Sequence, residues 1–136
     1  MDRGFIVMDL IEETKQEEGF RGTVYKDTLG FDTIGYGTKM PLSEGEAELL
    51  LVSRMNDAKK ELHRRLDDLD IKDEAWDILL AMSYQLGVSG VIGFKNMIKA
   101  LRRKYYREAA KEMLDSLWAK QTPARASRMA DMMRKL

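Results

Sequence analysis

The chain has 136 residues, 23 basic and 23 acidic, with 44% hydrophobic residues, one His, two Pro and no Cys. That length suits one domain, burying roughly two-thirds of the surface its unfolded form exposes. Without Cys there is no thiol nucleophile, thiolate zinc site or iron–sulfur cluster, and a single His cannot build a multi-His zinc site.

His63 sits in the charge-dense run KKELHRRLDD and reads as a solvated surface residue. Catalysis is therefore left to carboxylate, hydroxyl, Arg and Lys chemistry, and no metal or cofactor is expected.

Residues 1–8 form a lead-in with no assigned role. The apolar run at residues 5–8 is too short for a signal-peptide core or a membrane span. Residues 9–18 are predicted helical, with Asp9 and Glu12 at capping-box spacing and Leu10, Ile11 and Thr14 on one face. Gly19 follows, where a helix commonly stops.

Residues 20–42 change character. Gly22, Gly30, Gly35 and Gly37 punctuate the stretch, and Pro41 closes it. Thr23, Val24 and Tyr25 suit a strand. Thr28, Leu29 and Gly30 suit a hairpin connection, residues 31–34 a return strand, and a short third strand follows through Tyr36. So small a sheet must lean on helices.

From residue 43 onward the pattern is helical. Ser43 and Glu46 form a second capping box, opening a long helix to about residue 65 with Leu50, Leu51, Met55, Ala58 and Leu62 near helical spacing. Lys72 and Asp73 open another, broken by Gly87, Gly90 and Gly93. Helices are predicted at about 95–104, 106–115 and 123–134, the last with Thr122 as N-cap and Pro123 in its first turn. Met113, Met129, Met132 and Met133 read as core. The expected architecture is α+β and mostly helical. It is a single domain, 1–136, with an N-terminal helix and β lobe at 9–42, a connecting helix at 43–65 and a helical lobe at 66–136. A cleft between lobes is the default ligand site.

The zero net charge hides an asymmetry. Residues 1–68 carry 10 basic and 15 acidic side chains, and residues 95–136 carry 12 and 4. A basic third favours a polyanionic partner.

The chemistry lies in the glycine-rich stretch. Glu18 ends the first helix, Asp27 follows nine residues later, and Thr33 six further on. A hairpin sets Asp27 and Thr33 side by side, and the helix delivers Glu18 to the same place. Two carboxyls in different surroundings suit glycosidic cleavage, one donating a proton and the other staying ionised. At a helix C-terminus the dipole disfavours the Glu18 anion, which suits the acid role. Asp27, near a solvated turn, suits the ionised role.

The run EEGFRGTVYKDTLGFDTIGYGT resembles the active-site segment of the phage-type (T-even-like) lysozymes, whose pattern is Glu, eight residues, Asp, five residues, Thr. YQLGVSGVIGF resembles that family's central-helix end, and REAAKEMLDSLWAKQTPARASR its C-terminal segment, in the same order along the chain. The resemblance implies a lysozyme-like fold and an inverting muramidase. It would cleave the β-1,4 bond between N-acetylmuramic acid and N-acetylglucosamine, leading to cell lysis.

By that resemblance Glu18 is the general acid, and Asp27 and Thr33 position the attacking water. Arg125 corresponds to an Arg that pairs with the catalytic Glu, and Gln85, Phe94 and Trp118 line the cleft or pack beside it. The implied partner is the peptidoglycan glycan strand, met by a monomer without nucleic acid or stable membrane insertion. The protein is expected to be made soluble in the host cytoplasm and to reach the wall by release or by another export system. Thr38 stands where the family often has His, and Met97 and Glu112 stand at cleft positions that are small or amide-bearing in relatives.

Competing readings are a catalytically silent lysozyme-like wall-binding protein, a basic nucleic-acid-binding domain built on residues 95–136, and a transglycosylase. The intact Glu18, Asp27 and Thr33 set argues against the first, and the intact Asp27 against the third, which needs no water-positioning carboxylate. The second leaves the glycine-rich segment unexplained.

Overall fold

The computed structural model describes the main chain of residues 3–136 and the side chains of residues 10–136. In chain order the elements are α1 (Arg3–Glu18), β1 (Arg21–Lys26), β2 (Asp32–Gly35), β3 (Thr38–Lys39), α2 (Glu44–Arg65), α3 (Asp73–Ile92), α4 (Lys95–Arg102), α5 (Tyr106–Leu114), α6 (Leu117–Gln121) and α7 (Pro123–Arg134). The chain is thus mostly helical with one small antiparallel sheet, as its pattern predicts. Contacts group it into two compact units, one ending at Leu49 and the other running from Leu50 to Leu136.

In the first unit, α1 starts at Arg3, well before the expected residue 9. Asp9 lies inside this helix, so it is not an N-cap; nothing upstream breaks the helix before it. Leu10, Ile11 and Thr14 do share a face, lining a shallow apolar groove of about 280 Å³ with Lys15 and Tyr36. The helix ends at Gly19, whose N–H donates to the Lys15 carbonyl at 2.9 Å.

The sheet is a meander in the order β1-β2-β3. Tyr25 pairs with Thr33 and Lys26 with Asp32, and Thr33 pairs in turn with Lys39. The third strand is displaced from its expected place. Tyr36 and Gly37 form the turn, and the strand is Thr38–Lys39.

The second predicted capping box is present at the start of α2. Glu46 N–H donates to Ser43 Oγ at 3.1 Å, and Ser43 N–H donates to Glu46 Oε1 at 2.9 Å. Two otherwise unpaired donors at the helix start are satisfied reciprocally.

The second unit holds the apolar core. Leu62, Leu79, Met82, Val91, Met97, Leu101, Met113 and Met133 are fully buried. Burying one such side chain contributes about 1.5–3 kcal/mol. Of the methionines predicted as core, Met113 and Met133 are there, Met129 packs half-buried against it, and Met132 is exposed. α3 has seven buried residues and is interrupted at Gly87, whose φ of 76° and ψ of 159° leave the helical region. Gly93 caps this helix, while Gly90 stays within it, against expectation.

α6 was not expected as a separate element. Ser116 starts it, accepting from Ala119 N–H at 3.1 Å. Thr122 does precede α7 and Pro123 does occupy its first turn, but the Thr122 side chain makes no cap. Its hydroxyl donates back to the Trp118 carbonyl at 3.0 Å, satisfying the end of α6 instead. His63 is exposed, as predicted, and stacks on Trp76 with ring centroids 4.0 Å apart.

Candidate active site

The helix stop at Gly19 places Glu18 at the last position of α1. Its carboxyl lies directly on the backbone of Gly37. A β-carbon built at Gly37 would stand 2.7 Å from Glu18 Oε2 and 2.8 Å from its carboxyl carbon. Gly37 also has a φ of +79°, in the left-handed region that side-chain-bearing residues avoid. A glycine here satisfies both the turn and the close approach of the carboxylate.

Asp27 follows directly on β1 and closes the hairpin. Its Oδ1 accepts from Leu29 N–H at 2.9 Å and Phe31 N–H at 2.8 Å, an Asx-type turn. Its own N–H donates to the Phe31 carbonyl at 2.9 Å. The Lys39 ammonium donates to Oδ2 at 2.5 Å. The Lys39 bond, reinforced by the Phe31 and Leu29 N–H groups, holds the Asp27 carboxyl below the ordinary carboxylate range. Lys39 is in turn held protonated, first by its bond to Asp27 and also by the charges of Asp27 and Glu18.

Thr33 is 1% exposed and sits in the middle strand. Its hydroxyl donates to the Phe31 carbonyl at 2.9 Å. The Phe31 main chain is therefore the shared anchor of Asp27 and Thr33. With its proton committed there, the Thr33 oxygen retains acceptor capacity.

The remaining residues singled out in the sequence form one connected set within the second unit. Gln85 Oε1 accepts from Trp118 Nε1 and from Arg125 Nη1, both at 3.0 Å. Trp118 is buried and meets Phe94 edge-on at 6.1 Å between ring centroids. Arg125 donates to Gln85 within the second unit. Phe94 and Trp118 line an open groove of about 430 Å³ with Asn96, Met97, Glu112 and Gln121. Met97 and Glu112, the two departures at cleft positions, both face this groove.

Lys39 was not singled out from the sequence, although it continues the six-residue interval that separates Asp27 from Thr33. Among the described residues no cluster of three or more His, Cys, Asp or Glu is arranged to hold a metal ion.

The phage lysozyme family model matches residues 15–134. The chain is 28% identical over 162 aligned residues to "Probable T4-type lysozyme 1" of Dictyostelium discoideum, covering 91% of this chain and 92% of that protein. A second relative from that organism, "Probable T4-type lysozyme 2", is also 28% identical, with the same coverage. This chain is 31% identical over 154 residues to the pre-baseplate central spike protein Gp5 of Enterobacteria phage T4, covering 90% of this chain and 27% of that longer protein. The family match spans both the segment carrying Glu18, Asp27 and Thr33 and the segment carrying Gln85, Phe94, Trp118 and Arg125. This chain belongs to the phage lysozyme family and is a lysozyme-type glycoside hydrolase.

Proposed function

We propose that the chain hydrolyses the β-1,4 bond between N-acetylmuramic acid and N-acetylglucosamine in bacterial peptidoglycan, with inversion at the anomeric carbon. Glu18 is the general acid. Asp27 and Thr33 hold the attacking water. The observation that carries this reading is the state of Asp27. Its Oδ1 is occupied by two main-chain donors, whereas Oδ2 has one cation and a remaining lone pair. A carboxylate held ionised in this way suits the water-positioning role, and Glu18, at the end of α1 with its carboxyl against the Gly37 turn, suits the acid.

The reaction balances without a cofactor. The water oxygen bonds to the anomeric carbon, and the glycosidic carbon–oxygen bond breaks. The leaving oxygen takes the Glu18 proton, and Asp27 Oδ2 receives a proton from the water. The same reading has the enzyme act as a monomer on the wall, after release or export by another system.

The test is clearing of chloroform-treated Gram-negative cells, with sizing of the released muropeptides and NMR of the nascent anomer. Reducing N-acetylmuramic acid ends in the α-configuration are expected. Anhydro-muropeptides would show a transglycosylase, and a nascent β-anomer would show retention.

A further inference from the structure

Asp27, Thr33 and Lys39 recur at six-residue intervals, and the meander brings the end of β1 close to β2 and β3. Lys39 stands opposite Thr33 in the β2–β3 register. Asp27 lies one position beyond Lys26, which pairs with Asp32 beside Thr33. The Lys39 side chain reaches from β3 to Asp27 Oδ2, just past the end of β1, with its ammonium 5.6 Å from the centre of the Phe31 ring.

We propose that Lys39 is a positioning residue for hydrolysis: its ammonium fixes Asp27 Oδ2 from one side and leaves the other lone pair of that oxygen to orient the attacking water. This rests on the reading of Asp27 as the water-holding carboxylate. Lys39 keeps its proton throughout; the proton lost by the water goes to Asp27.

Two observations favour this over a purely structural ion pair. First, the Lys39 side chain is 57% exposed while that of Asp27 is 16% exposed. Ion pairs with an exposed partner add little to stability, and Asp27 already has its turn fixed through Oδ1. Second, the bond falls on Oδ2, the one carboxylate oxygen not committed to the hairpin backbone. Lys26, the other Lys of the sheet, pairs instead with Asp32 at 2.6 Å. The charged and titratable groups around Lys39 within this unit are Asp27, Glu18 from α1 and Tyr25 on β1.

The sign of the pH effect follows. The cation favours ionised Asp27, so its removal lets Asp27 take up a proton at higher pH. The acid limb of the pH–rate profile must then move upward.

The test compares the full-length parent with Lys39→Met, Lys39→Gln and Lys39→Arg. It follows the Asp27 carboxyl by ¹³C NMR titration, peptidoglycan hydrolysis against pH, and thermal melting. In Lys39→Met and Lys39→Gln, Asp27 should titrate at higher pH and the acid limb should shift with it, with the melting temperature little changed. The fall in kcat should be largest at low pH. Lys39→Arg should restore both readouts towards the parent. An active parent whose acid limb and Asp27 titration are unmoved in both neutral variants overturns the Lys39 role alone. A uniform loss of activity at every pH, tracking a fall in melting temperature, also overturns it. A parent that releases no muropeptides overturns the functional reading, and the Lys39 role with it.

Discussion

Asp27 and Phe31 bind each other twice. The Asp27 N–H donates to the Phe31 carbonyl at 2.9 Å, and Asp27 Oδ1 accepts the Phe31 N–H at 2.8 Å. Because Oδ1 serves the turn and Oδ2 faces Lys39, the structural and chemical roles of this carboxyl are separable. Asp27→Asn can keep the first through its amide oxygen and loses the second with its charge. Melting should fall less than in Asp27→Ala, and hydrolysis should fall by roughly 10²–10⁴-fold, as is typical of acid–base groups. A variant that hydrolyses peptidoglycan at the parent rate would remove Asp27 from the reaction.

The hairpin should also loosen in acid. The folded-state affinity of Asp27 for a proton is depressed, so its contribution is present above the ordinary value of 3.8 and is lost as pH falls through the lower folded value. Hydrogen exchange at the Leu29 and Phe31 N–H groups is the direct readout. Protection of both should fall together in that window in the parent and be weaker throughout in Asp27→Ala.

The Ser43 cap makes a prediction that separates charge from hydrogen bonding. Ser43→Ala removes the acceptor for Glu46 N–H and should cost about 0.5–2 kcal/mol. Glu46→Gln keeps an acceptor for Ser43 N–H but loses the charge. In the parent, the Ser43 N–H, followed by the Ser43 side chain, holds the Glu46 carboxyl below its ordinary value of 4.5. Parent and Glu46→Gln should therefore differ in melting temperature at neutral pH and converge as pH falls below that value. A difference that persists in acid would show that the glutamate charge is not what supports the cap.

Gln85 should behave as a shared acceptor. Gln85→Leu leaves the Nε1 donor of buried Trp118 without its partner, which costs roughly 1–3 kcal/mol. Arg125→Ala removes only one of the two donors, so Trp118 keeps its bond. Thermal melting should show Gln85→Leu well below Arg125→Ala, and Trp118 fluorescence should shift in the former only. Equal losses in the two variants would show that the Trp118 bond carries no weight.

The same sequence pattern succeeded at one helix start and failed at another, for a physical reason. Ser43 and Glu46 form a capping box because Pro41, just upstream, cannot continue a helix. Asp9 and Glu12 share the spacing, but residues 3–8 carry the helix through them, so there is no terminus to cap. α6 was illegible because five residues are too few to show a period. Thr122 has one hydroxyl and two helix ends to serve, and composition does not say which it serves. The positions of Glu18, Asp27 and Thr33 were legible because a helix stop and a hairpin are local events. The Lys39–Asp27 pair was not, since it depends on the β2–β3 register twelve residues away.

Gly37 offers a test of the Glu18 placement that leaves Glu18 itself unchanged. Alanine there meets two penalties. A φ of +79° costs a non-glycine residue roughly 1–2 kcal/mol. The new β-carbon would also fall 2.7 Å from Glu18 Oε2. The carboxyl is the end of a flexible side chain, so the protein can relieve the second clash by turning it away. Stability would then suffer mainly from the backbone, and activity from the displaced acid. Gly35 separates the two. Its φ of +71° carries a similar backbone penalty, but nothing lies within 4 Å of a β-carbon built there. Gly35→Ala and Gly37→Ala should therefore melt at similarly lowered temperatures. Only Gly37→Ala should lose most of its hydrolysis, approaching the behaviour of Glu18→Gln, which lacks the proton altogether. If the two alanine variants retained equal activity, the contact between the Glu18 carboxyl and the Gly37 backbone would have no part in placing the acid.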